Sequence, residues 1–151
     1  MIKLENNIAI ICSVFNSDIC EKLLEGTLER LIELGVHKNQ IDIVKVPGAI
    51  EIPLITKLLA KSNKYKAIIS LGCVIRGETS HYDYVCEQVS QGCQQVMLEF
   101  NIPVIFGVLT TNNVRQAKKR VSKGSHKGVE CADAAIEMIQ LVSIISVDAN
   151  D

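Results

Sequence analysis

Ala67 to Val85 reads AIISLGCVIRGETSHYDYV, and the reading of this stretch decides the fold. Its first part, AIISLGCVI, is a nearly continuous apolar run rich in Ile and Val. A run of that kind suits a strand covered on both faces, which is the mark of a parallel sheet. The run then breaks into Arg76, Gly77, Glu78, Thr79, Ser80 and His81 before YDYV resumes an apolar pattern. A buried strand therefore ends in groups suited to holding an anion and moving a proton.

Working outward, NIAIICSVF, IDIVKV and PVIFGVL repeat the character of the first run. Helical spacing separates them. From Ser17, residues Ile19, Leu23, Leu24, Leu28, Leu31 and Ile32 follow the 3.6-residue period up to a stop at Gly35. Further helices are expected over Ile50 to Ala60, with Pro53 in the first turn, and over Tyr84 to Phe100, Asn113 to Val121 and Glu130 to Ile145. Strands alternating with helices imply right-handed crossovers and an α/β class: a three-layer α/β/α sandwich around a four-stranded parallel sheet. No internal repeat or linker divides the chain, so residues 1–151 are expected to form a single domain.

Composition narrows the function classes. Of the residues, 48% are hydrophobic and 22% charged, and the net charge is -1, a balance that argues against a nucleic-acid partner. The six cysteines form no C-x-x-C pair and fall mostly in apolar segments, which suits a reducing cytosol. Neither a signal peptide nor a run long enough to span a bilayer is legible, so a cytoplasmic location and no membrane partner are expected. Nucleotide-binding glycine patterns and the G-x-S-x-G elbow are both missing.

Ligands of open α/β sheets sit at the carboxyl ends of the strands, so four loops matter: SVFNSD, VPGAIE, GCVIRGETSHYD and LTTNN. In the third, Gly77, Thr79 and Ser80 ahead of a helix offer a place for phosphate, although a helix cap needs the same residues. His81 beside them is the side chain best suited to proton transfer near neutral pH, and the alternative is a loop histidine without a role. His37 and His126 lie in distant loops, so no metal site is expected. In VPGAIE, Gly48 allows a close backbone approach or a positive φ, and Glu51 suits either a cap or a polyol acceptor. Phe15 is an aromatic platform or a core residue, and Asn16 an amide beside it or a cap. The basic segment KKRVSKGSHKG, 118–128, reads as a solvated face from which one arginine can reach a phosphate.

Together, VFNSDICEKLLEG, VPGAIEIP, LGCVIRGETSHYDYV, PVIFGVLTTNN and KGVECADAAIEM, in this order and spacing, resemble the 6,7-dimethyl-8-ribityllumazine synthases from about Ile8 to Ile139. The resemblance implies a flavodoxin-like fold. It also implies a transferase for the penultimate step of riboflavin biosynthesis, joining 5-amino-6-(D-ribitylamino)uracil to 3,4-dihydroxy-2-butanone 4-phosphate without a cofactor. By the same resemblance Phe15 stacks on the pyrimidine, Asn16 and Glu51 hold the ribityl hydroxyls, and Gly48, Ala49, Ile50, Val74 and Ile75 line the ring pocket. Glu78 and Thr79 offer main-chain N–H groups to phosphate, Arg120 opposes its charge, and His81 shuttles protons. Phe106, Arg120 and Lys127 come from a neighbouring subunit.

The implied assembly is a homopentamer or a 60-subunit icosahedral shell, with SKGSHKG similar to the loop of the shell formers, and riboflavin synthase is an implied partner. Two positions depart from the family pattern: Val14, where arginine is common, and Ile50, where phenylalanine is common. A non-catalytic flavin-binding or cage-forming relative would keep Phe15 yet tolerate loss of His81 and Arg120, and both are present. A flavodoxin-like signalling domain would want an acidic cluster after the first strand, where only Asp18 stands.

Overall fold

The computed structural model describes residues 7–150, and within them the four apolar runs are four strands. They are β1 (Asn7–Ser13), β2 (Ile41–Val46), β3 (Tyr65–Ile75) and β4 (Val104–Thr111), all parallel, in the order β2-β1-β3-β4. Five helices connect and follow them: α1 (Ser17–Glu33), α2 (Ile52–Lys61), α3 (His81–Phe100), α4 (Val114–Lys119) and α5 (Lys127–Asn150).

The two faces of the sheet bury two apolar layers, and the strand alternation decides which residue goes where. Ile8, Ile10 and Cys12 point into a layer with Leu23 and Leu31 of α1 and Ala132, Ala135 and Ile136 of α5. Ala9 and Ile11 face the other way, onto Ile52 of α2 and Val85, Val89 and Val96 of α3. The architecture is thus the expected three-layer α/β sandwich. Val89 is fully buried, and burying a valine of this kind contributes about 1.5–3 kcal/mol. Gly92 lets α3 lie against α2, since a Cβ there would sit 2.6 Å from Pro53 Cβ.

The helix boundaries differ from the sequence expectation at several points. α3 begins at His81 rather than Tyr84, because His81 and Asp83 in its first turn are polar and exposed and so lie outside the apolar period. α5 begins at Lys127 rather than Glu130, its first turn packed on α1 through Gly128, where a Cβ would run into Leu23 O. It runs on to Asn150 rather than ending at Ile145, and α2 begins at Ile52 rather than Ile50. α4 is shorter than expected, ending at Lys119. At its start the Asn113 side chain accepts a hydrogen bond from the Gln116 N–H at 2.9 Å, a side-chain N-cap.

The chain runs from β1 outward to β2 on one side, and β3 pairs with β1 on the other. The strand order therefore reverses between β1 and β3. The loops that leave these two strands face each other across that crevice.

Candidate active site

A cleft of about 360 Å³ opens at the reversal point, and ten of the residues singled out in the sequence border it. Phe15 comes from the loop after β1. Gly48, Ala49, Ile50 and Glu51 form the turn between β2 and α2, Val74 and Ile75 end β3, and Thr79 and His81 lead into α3. Gly77, named with Thr79 as part of a place for phosphate, also borders it; Cys73, Tyr82 and Val85 complete the wall, and the sequence assigns them no role there. Val85 lies one helical turn beyond His81, so the i, i+4 relation within the same quoted stretch was the signal that would have found it.

Local bonding explains how each loop reaches the cleft. Phe15 donates its main-chain N–H to Pro47 O at 3.0 Å, which ties the end of β1 to the turn after β2 and leaves the ring 71% exposed. Asn16 adopts a left-handed conformation, φ 60° and ψ 49°, in front of α1. Its amide does not cap that helix. Instead Nδ2 donates to Cys73 O at 2.8 Å, a bridge from the β1 exit to β3 behind the cleft wall.

The β2 turn is held by a carboxylate. Glu51 Oε2 accepts the Gly48 N–H at 3.0 Å, and Gly48 is extended, φ −148°, so no positive φ is needed there. Close approach accounts for the glycine: a Cβ would stand 3.2 Å from Glu51 Oε2. At the α3 start Thr79 Oγ1 accepts the His81 N–H at 3.3 Å, whereas Ser80 makes no side-chain cap bond. His81 is exposed and is the first residue of the helix, so the positive helix end and the imidazole share one mouth of the cleft.

Burial disposes of one other candidate for chemistry. Desolvation pushes the Cys73 thiol up to about 12, so it stays protonated and is no nucleophile near neutral pH. Desolvation, followed by a hydrogen bond with Cys86, also raises the Tyr82 phenol, which keeps that wall neutral.

The remaining residues stand elsewhere. Glu78 is exposed on the 77–80 turn and does not border the cleft. Phe106 is half-buried on β4 and packs against the layer under α2 and α3. Arg120 and Lys127 line a separate groove of about 520 Å³ beside the end of β4, with Thr110, Thr111, Gln116 and Ser125. There Arg120 donates to Glu130 Oε2 at 2.7 Å and to Ser125 Oγ at 2.8 Å. The cleft and this groove share no lining residue within one chain. Among the described residues no group of three or more His, Cys, Asp or Glu is placed to hold a metal ion, and no helix is long and apolar enough to cross a membrane.

A doubly wound parallel sheet with a ring-sized cleft at its reversal point, flanked by an imidazole and a helix N-terminus, is the architecture of a small-molecule enzyme of flavodoxin-like fold. Comparison with known proteins gives the particular kind. Residues 5–143 match the family model described as 6,7-dimethyl-8-ribityllumazine synthase. Proteins of that name from three strains of Coxiella burnetii, CbuG_Q212, RSA 493 / Nine Mile phase I and Dugway 5J108-111, are each 57% identical over 141 residues, covering 93% of both chains. The chain belongs to the 6,7-dimethyl-8-ribityllumazine synthase family, whose members are transferases.

Proposed function

We propose that the chain, working as one catalytic domain, condenses 5-amino-6-(D-ribitylamino)uracil with 3,4-dihydroxy-2-butanone 4-phosphate to give 6,7-dimethyl-8-ribityllumazine, phosphate and water. The observation that carries the reading is the meeting of Phe15, Glu51 and His81 around one cleft. The 5-amino group adds to the ketone and loses water to form an imine. Loss of a proton from the adjacent carbon and departure of phosphate from the terminal carbon leave an enol, which takes up a proton and becomes a ketone with a new methyl group. The ribitylamino nitrogen then closes on that ketone, and a second water leaves.

Each stage moves a proton, and one expels a dianion. His81 serves the first need. The N–H groups of Glu78 and Thr79 at the α3 start, with Arg120, serve the second. Phe15 stacks on the pyrimidine, Asn16 and Glu51 hold the ribityl chain, and the main chain at Gly48, Ala49, Val74 and Ile75 borders the ring, with Ile50 beside it. Holding two substrates together supplies much of the remaining acceleration.

Arg120, Lys127 and Phe106 act in the cleft of a neighbouring subunit within a pentamer or a shell built from pentamers. The separation of the Arg120 groove from the His81 cleft in one chain supports this reading. A cytoplasmic setting fits six free thiols, and riboflavin synthase is the protein that takes the product onward. Mixing the purified protein with the two substrates and following lumazine absorbance and fluorescence tests the reaction. A rate no higher than the uncatalysed background would contradict it.

A further inference from the structure

Beside the cleft lies a side chain to which the reaction above assigns no part. Arg76 leaves the end of β3 with its main-chain N–H donated to Thr111 O at 2.9 Å. Its guanidinium then reaches three partners. Nε donates to Asn112 Oδ1 at 3.1 Å, Nη1 stands 3.3 Å from Asp83 Oδ1, and Cζ lies 4.2 Å from the centroid of the Tyr82 ring. Asn112 follows β4, while Tyr82 and Asp83 belong to the first turn of α3.

One side chain thus ties together the exits of β3 and β4 and the start of α3. The residues it brackets, 77–81, are the turn that carries Thr79 and His81. Inside that turn the holding bonds are local: Thr79 Oγ1 to the His81 N–H at 3.3 Å, and Ser80 O to the Asp83 N–H at 3.0 Å. A Cβ built at Gly77 would meet nothing within 4 Å, so packing does not confine the turn at that point.

We propose that Arg76 is a positioning residue: by pinning both ends of the 77–81 turn it sets where the His81 imidazole stands over the cleft. The inference rests on the proton-moving role of His81 proposed above. Arg76 acts through shape more than through charge. Its side chain is 43% exposed and that of Asp83 59%, and an ion pair so open to water contributes little to stability. A planar fork can serve two acceptors while lying on a ring, which a lysine ammonium, a compact point charge, cannot do.

The test measures kcat, both KM values and Tm for Arg76→Ala and Arg76→Lys, alone and combined with His81→Ala. Expected for both single variants is a fall in kcat of about 10-fold, with little change in Tm and an unchanged KM for the pyrimidine. In the His81→Ala background the same substitutions should cost far less in kcat, because the group they position is gone. What remains should be a rise in the KM for the butanone phosphate, whose N–H donors Glu78 and Thr79 lie on the same turn. Full activity of Arg76→Ala would overturn the inference. So would a loss that multiplies with that of His81→Ala, or one that tracks a fall in Tm and is cured by Arg76→Lys. Should Arg76→Ala yield no folded protein, Asn112→Ala removes a single arm and carries the same expectations. Full activity of His81→Ala would overturn the role of His81 and this inference with it, whereas the other adverse results sink the inference alone.

Discussion

Two recesses open at the carboxyl ends of the strands, and they differ in what one chain can do with them. The cleft between the β1 and β3 exits gathers an exposed aromatic ring, a carboxylate, a helix N-terminus and an imidazole. The groove beside β4 gathers cationic groups, Lys119, Arg120 and Lys127, and has no histidine or aromatic in its wall. One recess has the means to hold a ring and move protons, the other to hold an anion. The proposed reaction draws on both, and within one chain the two recesses share no lining residue.

That contrast can be broken first at the anion-holding side. Arg120→Ala should raise the apparent KM for the butanone phosphate by roughly 10- to 100-fold, the worth of lost charge-assisted bonds, and leave the pyrimidine KM nearly unchanged. Steady-state kinetics with each substrate varied in turn would check it, and equal effects on both would argue against the phosphate role. On the other side, His81→Ala should lower kcat by about 10-fold or somewhat more without abolishing turnover, because approximation of the two substrates survives.

Smaller effects sharpen the same comparison. Phe15→Ala should raise the pyrimidine KM by up to about 10-fold, as expected for a lost stacking partner, and spare the phosphate substrate. Since Phe15 is 71% exposed, Tm should hardly move; a large drop in a thermal melt would mark the ring as a packing residue instead.

A separate effect, on stability rather than on catalysis, concerns the buried thiols. Desolvation raises Cys73 to about 12 and Cys12 and Cys131 to about 11, from 9.0. A group whose folded value is raised stabilises the fold below its unfolded value and loses that contribution as pH climbs through the folded one. Stability should therefore be flat up to about pH 9 and fall progressively toward pH 11–12. Urea midpoints at pH 7, 9 and 10.5 would check the direction.

Much of this was legible in the chain itself, for identifiable reasons. Runs buried on both faces, such as AIISLGCVI, leave no ambiguity of period, and each ends in glycine or polar groups that mark its exit. Hence the strand cores and the loops bordering the cleft could be read directly. Helix starts were less legible because the first turn of α3 is mostly exposed, while that of α5 is packed through Gly128, and neither gives an apolar spacing signal. The Asn16 amide was also ambiguous: whether it caps α1 or reaches Cys73 O depends on where β3 ends, which is a tertiary fact. Arg76 stood in plain view within VIRGETSH, yet its three partners come from two separate segments. Likewise, the residence of Arg120 in a groove of its own follows from β4 lying beyond β3, not from any local motif.

The central claim is that the His81 cleft of one subunit is completed by Arg120 of its neighbour. Co-expressing the His81→Ala and Arg120→Ala variants at equal levels tests it, because a mixed ring contains sites with His81 from one chain and Arg120 from the next. Across a head-to-tail interface about a quarter of the sites should be whole, restoring about a quarter of the parent activity from two impaired proteins. Activity no greater than the mean of the two variants, in rings shown to be mixed, would contradict a shared site.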